Sequence, residues 1–153
     1  MSLPWLLAVV ILLAWAPATA SGASGERRFT DVRALQQLVD DLRAQLGLMQ
    51  AVTVTIVPEN RMLASMRWQD ERERGFELAA ERRMLGDLDD EEVRAVVAHE
   101  LGHAWIFTHH PYLQTEALAN RIALRLVSRE SLERVYEKVW ERTGKKGDMF
   151  PRR

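Results

Sequence analysis

Residues 88–107 read Leu-Asp-Asp-Glu-Glu-Val-Arg-Ala-Val-Val-Ala-His-Glu-Leu-Gly-His-Ala-Trp-Ile-Phe. Asp89, followed three residues later by Glu92, has the form of a capping box, which satisfies orphan amides at a helix start. Val93, Val96, Val97, Leu101 and Ala104 recur at spacings of three and four, so a helix is expected from about Asp90 to Phe107. On that helix His99 and His103 lie on one face with Cβ atoms about 5–6 Å apart. Two imidazoles so placed can share one zinc ion. Glu100 lies about 100° round the helix, poorly placed as a third ligand but able to reach a metal-bound water as general base. Gly102 leaves the helix bare beside the site for substrate or a packed strand, at a cost of roughly 1 kcal/mol relative to Ala. The competing account, two structural or surface histidines, fits less well with the mostly apolar run Val93–Ala98 before them, the context of a site set partly into a core.

A hydrolytic zinc site needs a third protein ligand and an open position for water. The chain contains no cysteine, so the candidates are His109, His110, Glu116 and more distant carboxylates. Glu116 fits best, because residues 104–115 include the turn at His110-Pro111 and let the chain reverse and lay a second helix across the first. Its alternative role is that of an acid favoured at a helix N-terminus by the dipole. Asn120, one turn further on the same face, could accept a hydrogen bond from a ligand imidazole and fix its tautomer. His109, His110, Tyr112 and Arg121 are candidate donors to the oxyanion formed when water attacks a carbonyl, although either histidine could instead cap the helix C-terminus. Trp68, Trp105 and Trp140 are expected as core or half-buried anchors.

The remaining chain supplies the frame. Val32, Leu35, Leu38, Val39, Leu42 and Leu46 mark an amphipathic helix over residues 30–46, with Thr30 as N-cap and Gly47 as stop. Residues 51–57 alternate and are β-branched, a strand ended by Pro58. Residues 63–69 form a second strand, followed by a charged turn from Asp70 to Gly75. Residues 76–85 are a third strand or a short helix, and a meander is the expected order. Helices should follow over about 115–127 and 131–142, the latter stopped by Gly144. The fold class is therefore α+β.

Of the 153 residues 47% are apolar and 28% charged, with a formal net charge of −1, as in one ordinary globular domain. Acidic and basic residues alternate, as in residues 70–74, so there is no concentrated positive face for nucleic acid. Trp5–Ala16 is an unbroken apolar run followed by Ala18-Thr19-Ala20, small residues where a signal peptidase reads them. The expectation is a cleaved signal peptide over residues 1–20 and an exported protein, periplasmic or secreted. The first 25 residues carry no Lys or Arg, and an uncleaved run would hold the domain near a membrane, although it is short for a span of roughly 20 residues. The domain plan is a linker at 21–29, the folded domain at 30–143 and a tail at 144–153.

His99-Glu100-Leu101-Gly102-His103 with Glu116-Ala117-Leu118-Ala119-Asn120 resembles the gluzincin zinc metallopeptidases, most closely the minimal minigluzincins, and also the integral-membrane gluzincins that share their core. The second segment is similar to that family's Glu-x-x-Ala-Asp, with Asn120 where Asp is usual, and the similarity spans residues 30–127. It implies a small zincin-like core of N-terminal helix, three-stranded sheet with an edge strand over the cleft, active-site helix and ligand-bearing helix. It further implies one zinc ion held by His99, His103 and Glu116, with Glu100 as base and Asn120 behind a ligand. By the same resemblance residues 76–83 would be the edge strand and add a peptide or unfolded-protein substrate by strand pairing. The expected function is a zinc-dependent peptidase, an endopeptidase in particular. The alternative is a non-catalytic zinc-binding module that recognises peptides or proteins, for which Glu100 would have no use.

Overall fold

The computed structural model describes residues 28–69 and 75–144; the expected signal segment, most of the linker, the charged turn at 70–74 and the tail from 145 lie outside them. Five α-helices and one three-stranded sheet make up the described residues, and none of those helices is long and apolar enough to cross a membrane. Helix α1 (Val32–Leu46) buries Leu35, Leu38, Val39, Leu42 and Leu46 and ends at Gly47 with φ of 68°, a left-handed turn that Gly adopts without strain. Its N-cap is Asp31 rather than Thr30: the Asp31 carboxylate accepts from the Ala34 amide at 2.9 Å.

Strands β1 (Ala51–Val57), β2 (Ala64–Trp68) and β3 (Gly75–Glu81) are arranged in the order β1-β3-β2, with β1 parallel and β2 antiparallel to β3. The expected meander is therefore corrected, and so is the assignment of residues 76–83 as the edge strand. Phe76, Leu78 and Ala80 are buried and β3 is paired along both sides, which a central strand requires; β2 is the edge. Residues 76–85 also proved to be strand and helix in succession, since α2 (Arg82–Asp87) follows β3 directly. On the far side, Gln36 of α1 donates to Val52 O at 2.8 Å and accepts from Val54 N at 2.9 Å, covering part of the β1 edge that would otherwise invite pairing.

Helix α3 (Asp90–His109) starts with the expected box: Asp89 accepts from Glu92 N and Glu92 from Asp89 N, each at 2.8 Å. Glu92 is 2% exposed and also binds Lys138 Nζ at 2.6 Å. Lys138 lies on α5 (Arg129–Thr143), so a buried acid satisfied from two sides locks α5 to the start of α3. Helix α4 (Glu116–Ala123), shorter than expected, begins at N-cap Thr115 after a 3-10 turn at Pro111–Leu113. It crosses α3 where Gly102 faces Ala119: a Cβ at residue 102 would stand 2.6 Å from the Ala119 carbonyl oxygen. The bare surface at Gly102 thus receives a helix, and neither substrate nor a strand.

Gly102→Ala is expected to destabilise the protein by about 1–3 kcal/mol, because backbone must move to accept the methyl group and this outweighs the helix propensity gained. Thermal unfolding measures it; an unchanged or higher midpoint would show that α4 is not held at this distance.

Candidate metal centre

Helix α3 presents His99 and His103 one turn apart, and the N-terminus of α4 brings Glu116 opposite them. Their ligand atoms form one group. His99 Nε2 and His103 Nε2 are 3.2 Å apart, His99 Nε2 lies 3.2 Å from Glu116 Oε2, and His103 Nε2 lies 3.4 Å from Glu116 Oε1. Two ligands on a tetrahedral zinc, with bonds of about 2.0–2.1 Å, stand about 3.3–3.4 Å apart. Each pair is close to that edge length, with Glu116 facing His99 through Oε2 and His103 through Oε1.

Proton positions point the same way. Gln114 Nε2 donates to the His103 carbonyl at 3.1 Å, which leaves Gln114 Oε1 3.1 Å from His103 Nδ1. An amide oxygen only accepts, so the His103 proton is on Nδ1. Asn120 Oδ1 lies 2.7 Å from His99 Nδ1 and accepts from it in the same way. Both Nε2 atoms then carry lone pairs directed at each other and at a carboxylate. Such a donor set repels itself unless a cation lies within it, and two imidazoles with one carboxylate suit zinc.

A proton can take the place of the metal, and the electrostatics show that competition. Hydrogen bonds to His103 and then His99 hold the Glu116 carboxyl well below the usual carboxylate range. Burial alone would lower the His103 pKa, but Glu116, Gln114 and Glu100 together raise it. Glu100 is buried at the wall of the cleft; burial pushes its pKa up, against the opposing effect of His99 and His103.

The cleft is a cavity of about 470 Å³ between α3 and β2, with Ser65, Met66, Trp68, Glu100 and His103 among its lining residues. The proposed oxyanion donors lie elsewhere. His109 is stacked on Trp105 at 3.9 Å with Nδ1 2.9 Å from the Trp105 carbonyl, and His110 caps the end of α3. Tyr112 is 98% exposed, and the exposed Arg121 does not line the cleft. These four are near the motif in sequence, but the turn at Pro111–Leu113 and the exposed face of α4 keep them out of the cleft lining. Two residues that the sequence did not single out are at the site: Gln114, behind His103, and Tyr136 of α5, whose hydroxyl accepts from Asn120 Nδ2 at 2.9 Å and donates to Glu116 Oε2 at 3.5 Å. Burial pushes the Tyr136 phenol up to about 12, so it keeps its proton at ordinary pH. No sequence spacing announces a contact between helices this far apart in the chain.

No family model matches the sequence, and no curated protein matches it. Solved structures do. The metallopeptidase zymogen jannalysin of Methanocaldococcus jannaschii is 16% identical with a TM-score of 0.52, over 71% of this chain and 95% of that one. The metallopeptidase zymogen abylysin of Pyrococcus abyssi is 17% identical with a TM-score of 0.50, over 74% of this chain and 99% of that one. The fold is thus similar to that of these two small metallopeptidase zymogens, an α+β arrangement as the sequence reading expected.

Zinc affinity is expected to fall as pH drops. A raised His103 pKa means that protons begin to displace metal above the reference imidazole value of about 6.5, and binding should be largely lost below about pH 5. Competition titration with a chelator across this range measures it, and affinity unchanged down to pH 4 would exclude the two imidazoles as ligands.

Proposed function

We propose that the protein is a zinc-dependent endopeptidase that receives an extended peptide along β2. The observation that carries this is the convergence of His99, His103 and Glu116, with pairwise contacts of 3.2–3.4 Å, and the buried carboxyl of Glu100 next to them in the same cleft. A zinc ion bound there would supply a water whose pKa is lowered to about 7. His99, His103 and Glu116 would hold the ion, with Asn120 and Gln114 fixing the imidazole tautomers. Glu100 would take the proton from the attacking water and return it to the leaving amine. Its raised pKa suits that exchange, because a base works best near the operating pH.

Strand β2 supports the substrate class. Leu63 O accepts from Glu81 N and Gln69 N donates to Gly75 O, so the odd-numbered residues of this antiparallel pair exchange ladder bonds with β3. Ala64, Met66 and Trp68 therefore turn their amides and carbonyls outward, to the edge beside the cleft. An extended peptide could pair there, and the Met66 amide already acts on the Glu100 carboxyl. The strand that aligns a peptide thus touches the base that would cut it. The apolar run before Ala20 supports a place of action outside the cytoplasm.

Glu100→Gln is expected to keep its zinc and lose about 10²–10⁴-fold in peptide cleavage, measured on unfolded proteins and peptide libraries with metal content determined in parallel. Equal cleavage by both forms would remove Glu100 from the mechanism; zinc bound with no cleavage by wild type would favour a peptide-binding module instead. With a cleaved peptide in hand, N-methylation of alternate backbone amides should raise KM about tenfold or more in one register and little in the other. Insensitivity in both registers would rule out pairing along β2.

A further inference from the structure

We infer that Asn120 and Tyr136 form a closed positioning relay between two ligands of the proposed metal centre, and that this relay requires an amide at position 120. The inference rests on the metal site proposed above. Asn120 is fully buried, so its oxygen and its NH₂ both need partners. Oδ1 accepts from His99 Nδ1 at 2.7 Å, and Nδ2 donates to Tyr136 Oη at 2.9 Å. Tyr136 has one proton, and the acceptor within reach is Glu116 Oε2 at 3.5 Å. That same oxygen is 3.2 Å from His99 Nε2, so the circuit closes on the ligands themselves.

Each link runs in one direction. Imidazole donates to amide, amide to phenol, and phenol to carboxylate. His99 is thereby held with Nε2 free for metal, and the two oxygens of Glu116 are told apart: Oε2 takes the phenol, while Oε1 faces His103. A carboxylate at position 120 could still accept from His99 but could not donate to Tyr136. The phenol would then give its proton to the nearer residue 120, and Glu116 would lose its donor. Asn120 and Tyr136 thus act as a matched pair. Tyr136 is a positioning residue on α5, a helix that supplies no ligand.

The test is a double-mutant cycle read by zinc affinity, using wild type, Tyr136→Phe, Asn120→Asp and the double variant in competition with a chromophoric chelator. The melting of each metal-free protein is recorded so that affinities refer to folded chains. Tyr136→Phe should lower zinc affinity about 10–100-fold when residue 120 is Asn and by less than about threefold when it is Asp. The same loss in both backgrounds, or no loss with Asn120, would overturn the relay. Because the readout is metal binding, a wild type that holds zinc but cleaves nothing would end the peptidase proposal and leave the relay standing. A wild type that takes up no zinc would end both.

Discussion

At residue 102 helix α3 has no side chain, and the backbone of α4 lies where one would be, with the Ala119 carbonyl oxygen 2.6 Å from the position of a Cβ. Everything at the site depends on that approach. His99 and His103 precede and follow the contact on α3, while Glu116 and Asn120 flank it on α4. A separation larger by a methyl group would carry Glu116 away from the 3.2–3.4 Å spacing it now has from the imidazoles. It would also lengthen the 2.7 Å bond from Asn120 to His99. The roughly 1 kcal/mol that Gly costs in a helix interior is therefore offset by a geometry that no larger residue allows.

Around this contact the polar groups are satisfied from outside the motif. Gln114 holds His103 from the turn before α4, and Tyr136 reaches Glu116 from α5. Helix α5 is itself fixed by Lys138 on the buried Glu92 at the start of α3. Helix α3 is thus held by a capping acid at its front and by the α4 crossing at Gly102. Rotamers held in this way lose little freedom when a metal binds, which is how such supporting groups strengthen affinity without touching the ion.

Where local pattern sets the structure, the sequence sufficed. The capping box, the helix periodicity and the pair of histidines are all short-range features, and α3 follows them closely. Glu116 and Asn120 were also legible, because the length of the turn and one helical repeat relate them to the motif. The order of the strands was not. Alternation marks a strand but not its neighbours, and the reading of strands separated by turns suggested a meander where the chain places β3 between β1 and β2. Proximity in sequence was no better guide to the cleft: His109, His110, Tyr112 and Arg121 are near the motif along the chain, yet none of them is among the residues that line it.

The sequence by itself determined the chemistry of the centre, for residue type and helical spacing are enough to place two imidazoles on one face with a carboxylate beside them. It also determined the second helix as the source of the third candidate ligand. Tertiary structure alone decided that β2 is the edge lining the cleft, that Gly102 serves a helix crossing, and that Tyr136 joins Asn120 to Glu116. These are contacts between elements far apart in the chain. They are set by which apolar faces can be buried together, and burial is a property of the packed whole that no local window of sequence contains.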